Sequence, residues 1–282
     1  MSRININGIL LFFLLCIPSW TIAQLRYPVV GAYMGKSAQG MAICKNMAYL
    51  FNNGGHCRVL NLNSGIIIRE FDLASSGKKM HVATACFGIE RYLDNQIPFL
   101  YAAEYEGRSR CFVEAVTGET SILVQTIEAK EKGKNYRIQC WLVDNEKKFL
   151  YSVSGKQVID SLGKCPVVIR KYRLPLVAEG KYILLTEQDK QDEFTLDFQN
   201  CLQGAVIRKG KMYIATGFQQ SRYENPRGKR SLKVIDLNKT KIMKEIDLTY
   251  VTTNEPEGLD FFGNKLLMFC GQEGGIYELK YK

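Results

Sequence analysis

The stretch at residues 202–248 decides the fold. It begins LQGAVIRKGKMYIATGF (residues 202–218) and ends SLKVIDLNKTKIMKEIDL (residues 231–248). It contains four short runs of apolar and β-branched residues, with reversals at Lys209-Gly210 and Asn238-Lys239-Thr240. No periodic segment of helical length interrupts these runs. Four strands within about 47 positions are typical of one blade of a β-propeller.

The same order of strands recurs along the chain. Residues 39–73 (QGMAICKN, MAYLFNN, HCRVLNL and IIIREFDL) match it run for run, including the Gln-Gly start. Further units start near His81, Asn135 and Glu257. The sequence therefore predicts an all-β fold, a β-propeller of four-stranded antiparallel blades, with five blades. Six blades are the alternative, because the third unit is long and irregular.

Two parts of the ring need separate predictions. In the third unit, outer strands are expected at residues 165–176 and 181–187, and residues 188–200 are expected to be an insertion or to belong to a sixth blade. The last unit has only three strands. We expect the strand-like run at residues 27–33 to supply the fourth strand and so to close the ring and remove its exposed edges.

The first 23 residues have the features of a secretory signal. Arg3 precedes an apolar run at residues 9–17, and the segment ends with Thr21-Ile22-Ala23. The apolar run is too short to span a bilayer. We predict cleavage after Ala23, which leaves residues 24–282 as a single propeller domain, exported to the periplasm or the exterior, with no transmembrane segment. A lipoprotein anchored through Cys16 is the alternative.

The chain carries a formal net charge of +10 over 282 residues. In an exported protein this charge favours a glycan, an anionic cell-envelope polymer or another exported protein as partner, and it disfavours nucleic acid. A solvated surface with no partner is the alternative.

The positions of the cysteines within the repeat indicate whether they form disulfides. Of the nine, one lies in the predicted signal and eight follow it. An even number in an exported chain favours disulfides. However, Cys44, Cys86 and Cys140 each lie five residues after a unit start, and Cys57 and Cys111 fall in matching third strands. Because equivalent positions in different blades are packing positions, we expect mostly free, buried thiols.

Residues at the unit starts carry a family resemblance. The Gln-Gly pairs at residues 39–40 and 203–204, the tyrosine-rich second strands and Glu257-Gly258 resemble the glutamine cyclotransferase-like, gluconolactonase-like and teichoic-acid-associated secreted propellers. The resemblance extends over nearly the whole mature chain and implies the propeller fold, but many functions share this repeat style. A gluconolactonase-type metal site would need acidic and amide ligands from several blades, and among the unit starts only Glu257 is a carboxylate.

The first strand of each blade lines the central channel, so the residues at the strand starts should surround its mouth. The predicted ring consists of Gln39, His81, Arg137, Gln203 and Glu257. Such side chains donate and accept hydrogen bonds, as a sugar or peptide site requires. Alternatively, they satisfy backbone groups where the blades meet.

Glu255 and Glu257 flank Pro256, and side chains two apart on an extended segment share one face. In one interpretation the two carboxyl groups point to one place and raise each other's pKa, as an acid–base pair does. Because both come from one short loop, whereas glycosidase propellers bring carboxylates from separate blades, the sequence favours the other interpretation, a salt-bridged loop anchor.

The long loop at residues 218–230 is basic and contains a tyrosine. We expect Arg222, Tyr223, Arg227 and Arg230 to bind an anionic polymer there. Neither a metal site nor a cofactor is predicted, since His56 and Cys57 are adjacent in a strand and face opposite ways.

Two functions are consistent with this sequence. The first is a non-catalytic exported binding propeller for a glycan, an anionic envelope polymer or a protein. The alternative is a propeller enzyme of the lactonase, cyclotransferase or glycosidase type, with Glu257 at the channel mouth assisted by His81 or Glu255. A divalent metal at the channel mouth, or a carboxylate with a strongly raised pKa facing His81, would favour the enzyme, whereas a shallow basic face without either would favour binding.

Overall fold

The protein is a five-bladed β-propeller in a computed structural model, and the predicted fold is confirmed. Among the described residues, the helical elements are two 3₁₀ turns, Val177–Glu179 and Glu187–Asp189. The structure describes residues 23–27, 38–77, 80–105, 108–131, 134–135, 137–155, 165–199, 201–217, 230–252, 254–271 and 275–281.

Each blade is built from consecutive antiparallel strands, and the first strand of the blade lies at the channel. The chain begins with β1 (Ala23–Tyr27). Blade I contains β2 (Ala38–Cys44), β3 (Met47–Asn52), β4 (His56–Asn61) and β5 (Ile66–Asp72). Blade II contains β6 (Val82–Arg91), β7 (Pro98–Glu104), β8 (Cys111–Thr117) and β9 (Thr120–Glu131), extended by β10 (Lys134–Asn135).

The remaining blades follow the same plan. Blade III contains β11 (Cys140–Asp144), β12 (Phe149–Gly155), β13 (Cys165–Arg173) and β15 (Lys190–Phe198), with β14 (Tyr182–Leu185) inserted before its last strand. Blade IV contains β16 (Leu202–Arg208), β17 (Lys211–Thr216), β18 (Ser231–Asp236) and β19 (Lys241–Asp247). Blade V contains β20 (Gly258–Phe262), β21 (Lys265–Cys270) and β22 (Gly275–Leu279).

The N-terminal segment closes the ring, as predicted. Strand β1 pairs antiparallel with β22, so that it is the fourth strand of blade V, and Gln24 lies opposite Glu278. The predicted position of this strand, residues 27–33, is wrong. The strand ends at Tyr27, and Arg26 within it forms an ion pair with Glu278, which fixes the closing strand to blade V. Residues 28–37 lie outside the described part, as does the predicted signal at residues 1–23 except for Ala23.

The third unit departs from the prediction in its outer strands. Strand β14, at the second predicted position, pairs in parallel with β9 of blade II, where Tyr182 lies opposite Thr126. The fourth strand of blade III is instead β15, in the segment expected to be an insertion. Phe194, Leu196 and Phe198 alternate along β15 and pack on the core between blades III and IV. This period-two pattern explains why β15 completes the blade.

Glycines at the strand starts let neighbouring blades approach closely. A Cβ on Gly204 would lie 2.8 Å from the carbonyl oxygen of Glu257, and one on Gly258 would lie 2.6 Å from the Cβ of Met41. Gly40 is similarly confined by blade II. Since real Cβ atoms do not approach so closely, the Gln-Gly and Glu-Gly repeats are packing motifs between inner strands.

The core lies largely between adjacent blades. Trp141 on the inner strand of blade III is fully buried and packs with residues of blade II, and its indole N–H donates to the carbonyl oxygen of Ser109 at 3.0 Å. The hydrogen bond satisfies the polar end of the ring inside an apolar cluster.

The eight cysteines after the predicted signal are free thiols, as expected. Cys57 and Cys111 occupy matching places in third strands, opposite Phe51 and Ala103. The predicted equivalence of the first-strand cysteines is wrong, because Cys44 ends β2 whereas Cys140 begins β11. The structure's described helical elements include none that is long and apolar enough to cross a membrane.

Candidate functional site

The inner strands β2, β6, β11, β16 and β20 contact one another in this order around the channel. We call the end at which these strands begin the channel mouth, and the end at which they finish the channel base. The predicted ring residues belong to the mouth ends of the five inner strands: Gln39 in β2, His81 just before β6, Arg137 shortly before β11, Gln203 in β16 and Glu257 just before β20.

Glu257 is the most unusual of these residues. Its side chain is buried, with the residue 3% exposed, and it is hydrogen-bonded to the carboxyl group of Glu255. Burial raises the pKa of Glu257 well above its usual range, and the hydrogen bond and the charge of Glu255 raise it further. The side chains of Glu257 and Glu255 are thus in hydrogen-bond contact, and their surroundings favour the protonated form of Glu257.

Backbone contacts fix the segment that carries the pair. The amide of Gly271 donates to the carbonyl oxygen of Glu255 at 2.8 Å, and that of Gly204 donates to the carbonyl oxygen of Pro256 at 3.3 Å. A Cβ on Gly271 would lie 3.2 Å from the Cγ of Glu257, so this glycine gives room to the carboxyl side chain. Blades IV and V thus hold the pair between them.

Arg230, predicted as part of the anionic-polymer site, is fully buried. Its Nε donates to the carbonyl oxygen of Asn254 at 2.8 Å, next to Glu255. Burial lowers the pKa of the Arg230 guanidinium, while Cys270 and Glu255 act to raise it. Arg230 therefore links the start of β18 to the segment that carries Glu255, and its side chain is buried in this arrangement. Arg222, Tyr223 and Arg227 lie outside the described residues.

Two glutamines at the mouth donate hydrogen bonds to backbone carbonyl groups. Gln203 Nε2 donates to the carbonyl oxygen of Gly217 at 3.2 Å within blade IV. Gln139, which the sequence reading missed, donates from Nε2 to the carbonyl oxygen of Leu202 at 2.6 Å and so links blades III and IV. Its position directly before Cys140, at the start of an inner strand, is the sequence feature that indicates a residue of the mouth. Gln39 is half-buried at the corresponding end of β2.

His81 and Arg137 both contact a third side chain, the aromatic ring of Tyr105, which sequence reasoning also missed. The His81 and Tyr105 rings pack edge to face with their centres 5.3 Å apart. The guanidinium carbon of the exposed Arg137 lies 5.7 Å from the centre of the Tyr105 ring, within reach of a cation–π contact. This cluster joins blades II and III at the mouth.

Other basic side chains of blade II are paired with buried carboxylates. Arg110 donates to both carboxylate oxygens of Glu104, at 2.8 and 2.7 Å. Lys130 lies 3.3 Å from the carboxylate of the buried Glu128. These pairs reduce the positive field expected on this part of the surface. Within the part of the chain that the structure describes, no group of three or more His, Cys, Asp or Glu side chains could hold a metal ion.

Comparisons with known proteins support the fold and do not identify an activity. No protein-family model matches the chain, and no curated protein does. Among solved structures, glutaminyl cyclase from Myxococcus xanthus is similar with a TM-score of 0.54 and 12% sequence identity, over 92% of this chain and 95% of that one. The computationally designed protein Ika8 aligns over 91% of this chain and 99% of its own, with 10% identity and a TM-score of 0.39. The chain is thus a β-propeller similar in structure to a glutaminyl cyclase. A sequence identity of 12% supports a shared fold and not a shared activity.

Proposed function

We propose that the channel mouth is the acid–base centre of an exported propeller enzyme of the cyclotransferase type. The observation that carries this proposal is the buried Glu257 in hydrogen-bond contact with the partly exposed Glu255. Such a pair holds one proton between two carboxyl groups, so one group accepts a proton while the other supplies one.

The distance between the carboxyl groups favours one reaction type over another. Glycosidases place their two carboxyl groups at least about 5 Å apart, on either side of the bond that breaks. Glu255 and Glu257 are in hydrogen-bond contact, which is closer than that arrangement. A pair sharing one proton instead suits a reaction in which a proton leaves one nitrogen and another nitrogen receives one.

Cyclisation of an N-terminal glutaminyl residue is such a reaction, and the fold neighbour is named for it. The α-amino nitrogen attacks the γ-carboxamide carbon, and a lactam forms as ammonia leaves. In our proposal Glu255 takes the proton from the attacking nitrogen and Glu257 gives its proton to the departing ammonia. Transfer of the first proton from Glu255 to Glu257 restores the pair. The Arg137–Tyr105 cluster offers a polar and aromatic surface for the rest of the peptide.

The test is ammonia release from a glutaminyl dipeptide amide, with the lactam identified by mass spectrometry. We expect release by the wild-type protein and a rate lower by about 100-fold or more in Glu257→Gln, because general acid–base groups contribute roughly that much. The matched control is Glu278→Gln, a glutamate of β22 that pairs with Arg26. A wild-type rate no higher than that of Glu257→Gln contradicts the proposal.

A binding function is the second candidate, and the exposed Arg137 against Tyr105 favours it. In this proposal the mouth face binds an anionic glycan or envelope polymer through Arg137, Arg222 and Arg227. The test is elution from a heparin column in a salt gradient. The triple charge reversal to Glu should elute at lower salt than wild type, whereas reversal of the exposed Lys241 on β19 should elute close to it. Equal elution of the triple variant and wild type contradicts this function.

A further inference from the structure

A cavity lies at the channel base, away from the carboxyl pair of the mouth. Its volume is about 90 Å³, and all five inner strands or their ends contribute to its wall. The wall residues are Ile43, Cys86, Phe87, Leu142, Val143, Asn145, Val206, Ile207 and Asp260. Most of this wall is hydrocarbon, so the few polar groups determine which ligand could be held there.

Two polar side chains of the wall, Asp260 and Asn145, offer hydrogen-bond acceptors. Asp260 accepts from the amide of Ile43 at 2.5 Å through Oδ2 and from the amide of Phe261 at 2.7 Å through Oδ1. Each carboxylate oxygen can accept more than one bond. Asn145 donates from Nδ2 to the carbonyl oxygen of Phe87 at 2.9 Å, which orients its own carbonyl oxygen as the acceptor that remains.

The third polar group, the Cys86 thiol, is already engaged. It donates to the carbonyl oxygen of Trp141 at 3.7 Å and accepts from the amide of Val143 at 3.4 Å. The nearest cation of an adjacent strand, Arg208, donates to the carbonyl oxygen of Gly263 and to Asn264. Its guanidinium is therefore directed at the turn after β20. Counting the described residues, the wall of the cavity therefore contains one acidic side chain, Asp260, and no cationic side chain.

We propose that this cavity binds a small organic ammonium ion, a primary amine with a short hydrocarbon chain. The ammonium group donates to the Asp260 carboxylate and to the Asn145 carbonyl oxygen, and the hydrocarbon packs against Leu142 and Val206. A hard metal ion fits less well, because such ions take about six or more oxygen ligands and two side chains here offer oxygen. The site is separate from the proposed function of the mouth.

Charge and pH set the conditions of the test. Asp260 has a pKa of about 7, raised by burial and lowered in part by the two amides and by Arg208. The other titratable groups that interact with it are the thiols of Cys44 and Cys86, whose pKa values burial raises. Binding of the ammonium ion needs the Asp260 carboxylate, so it should be stronger at pH 8 than at pH 5.5.

The experiment titrates the full chain with n-propylammonium at pH 8 and follows binding by calorimetry and by the NMR signal of the Ile43 amide. We expect saturable binding that Asp260→Asn weakens by about tenfold or more, since a hydrogen bond to a charged group is lost. Glu257→Gln should bind as wild type does, which separates this site from the mouth. The Ile43 signal of the wild-type protein should shift on titration, and this keeps the test valid if Asp260→Asn folds poorly.

Three results would overturn the inference. The first is an Ile43 amide that does not respond to n-propylammonium. The second is equal binding of n-propanol, which has the same hydrocarbon but no charge. The third is displacement of n-propylammonium by an equal concentration of potassium, which would identify a site for hard cations.

Discussion

The two ends of the channel each hold a carboxyl group whose pKa is raised by burial, on one short segment of blade V. Glu257 at the mouth is hydrogen-bonded to a second carboxyl group, that of Glu255, which raises its pKa further. Asp260 at the base faces the amides of Ile43 and Phe261, which favour its charged form. The comparison teaches that the partner decides which form of a buried acid is favoured: a second carboxyl group favours the protonated form of Glu257, and backbone amides favour the charged form of Asp260.

The largest expected effect concerns Glu257. Its folded-state pKa lies above its unfolded value, so the folded protein binds more protons and the free energy of unfolding falls as pH rises between the two values. This fall should begin near the ordinary pKa of glutamate and continue as pH rises towards the raised pKa of the folded state. Glu257→Gln, which cannot ionise, should remove it. Urea unfolding between pH 5 and 9 checks this, and curves that run parallel for the two proteins would contradict a protonated Glu257.

The next effect concerns Asp260. Its pKa of about 7 also lies above the unfolded value, so stability should decline from about pH 4 to pH 7 and change little above that. The decline is at most about 4 kcal/mol, from a shift of roughly three pKa units. Asp260→Asn should remove the decline in the free energy of unfolding between pH 4 and 7. The further decline at higher pH, which is due to Glu257, should remain. If the variant keeps the wild-type slope between pH 4 and 7, another group is responsible.

A smaller effect probes the packing that separates the two ends. Gly258 lies between Glu257 and Asp260, and a Cβ there would lie 2.7 Å from the amide nitrogen of Met41. Gly258→Ala should lower the free energy of unfolding by about 1–3 kcal/mol, as overpacking does. The matched control is Gly77→Ala, where a Cβ would meet nothing within 4 Å. Equal stability of the two variants in urea unfolding would show that the blades do not meet as closely as described.

The smallest effect sharpens the description of the base. The Arg208 charge acts to lower the pKa of Asp260, although its guanidinium is bound at the neighbouring turn. Arg208→Ala should therefore raise the Asp260 pKa, by less than about one unit for a charge screened by solvent. Carboxyl-carbon NMR titration of labelled aspartate measures it, and a lower pKa in the variant would contradict the assignment.

Much of the fold could be predicted from the sequence because the blade is a local unit. Alternating apolar runs and turn residues specify each strand pair, and the three-stranded last unit requires a closing strand. The pairing of β14 with blade II, with β15 as the fourth strand of blade III, could not be predicted. The parallel pairing of β14 with β9 depends on contacts far apart in sequence.

The candidate site was predicted in part. The spacing of Glu255 and Glu257 was sufficient to indicate that their carboxyl groups could meet, since this depends only on the local backbone. The role of Tyr105 depends on two blades meeting, and Asp260 appears in sequence as a single polar residue within an apolar strand. The surroundings of Tyr105 and Asp260 are formed by neighbouring blades, and no local sequence pattern specifies how those blades meet.

The proton on Glu257 is the central claim, and carboxyl-carbon NMR of glutamate-labelled protein at pH 8 tests it most directly. Labelling glutamate alone keeps Asp260 out of the spectrum. We predict one glutamate signal at the position of a protonated carboxyl group, present in the wild-type protein and missing in Glu257→Gln. A spectrum in which every glutamate is ionised at pH 8 would contradict the shared proton and, with it, the acid–base centre at the mouth.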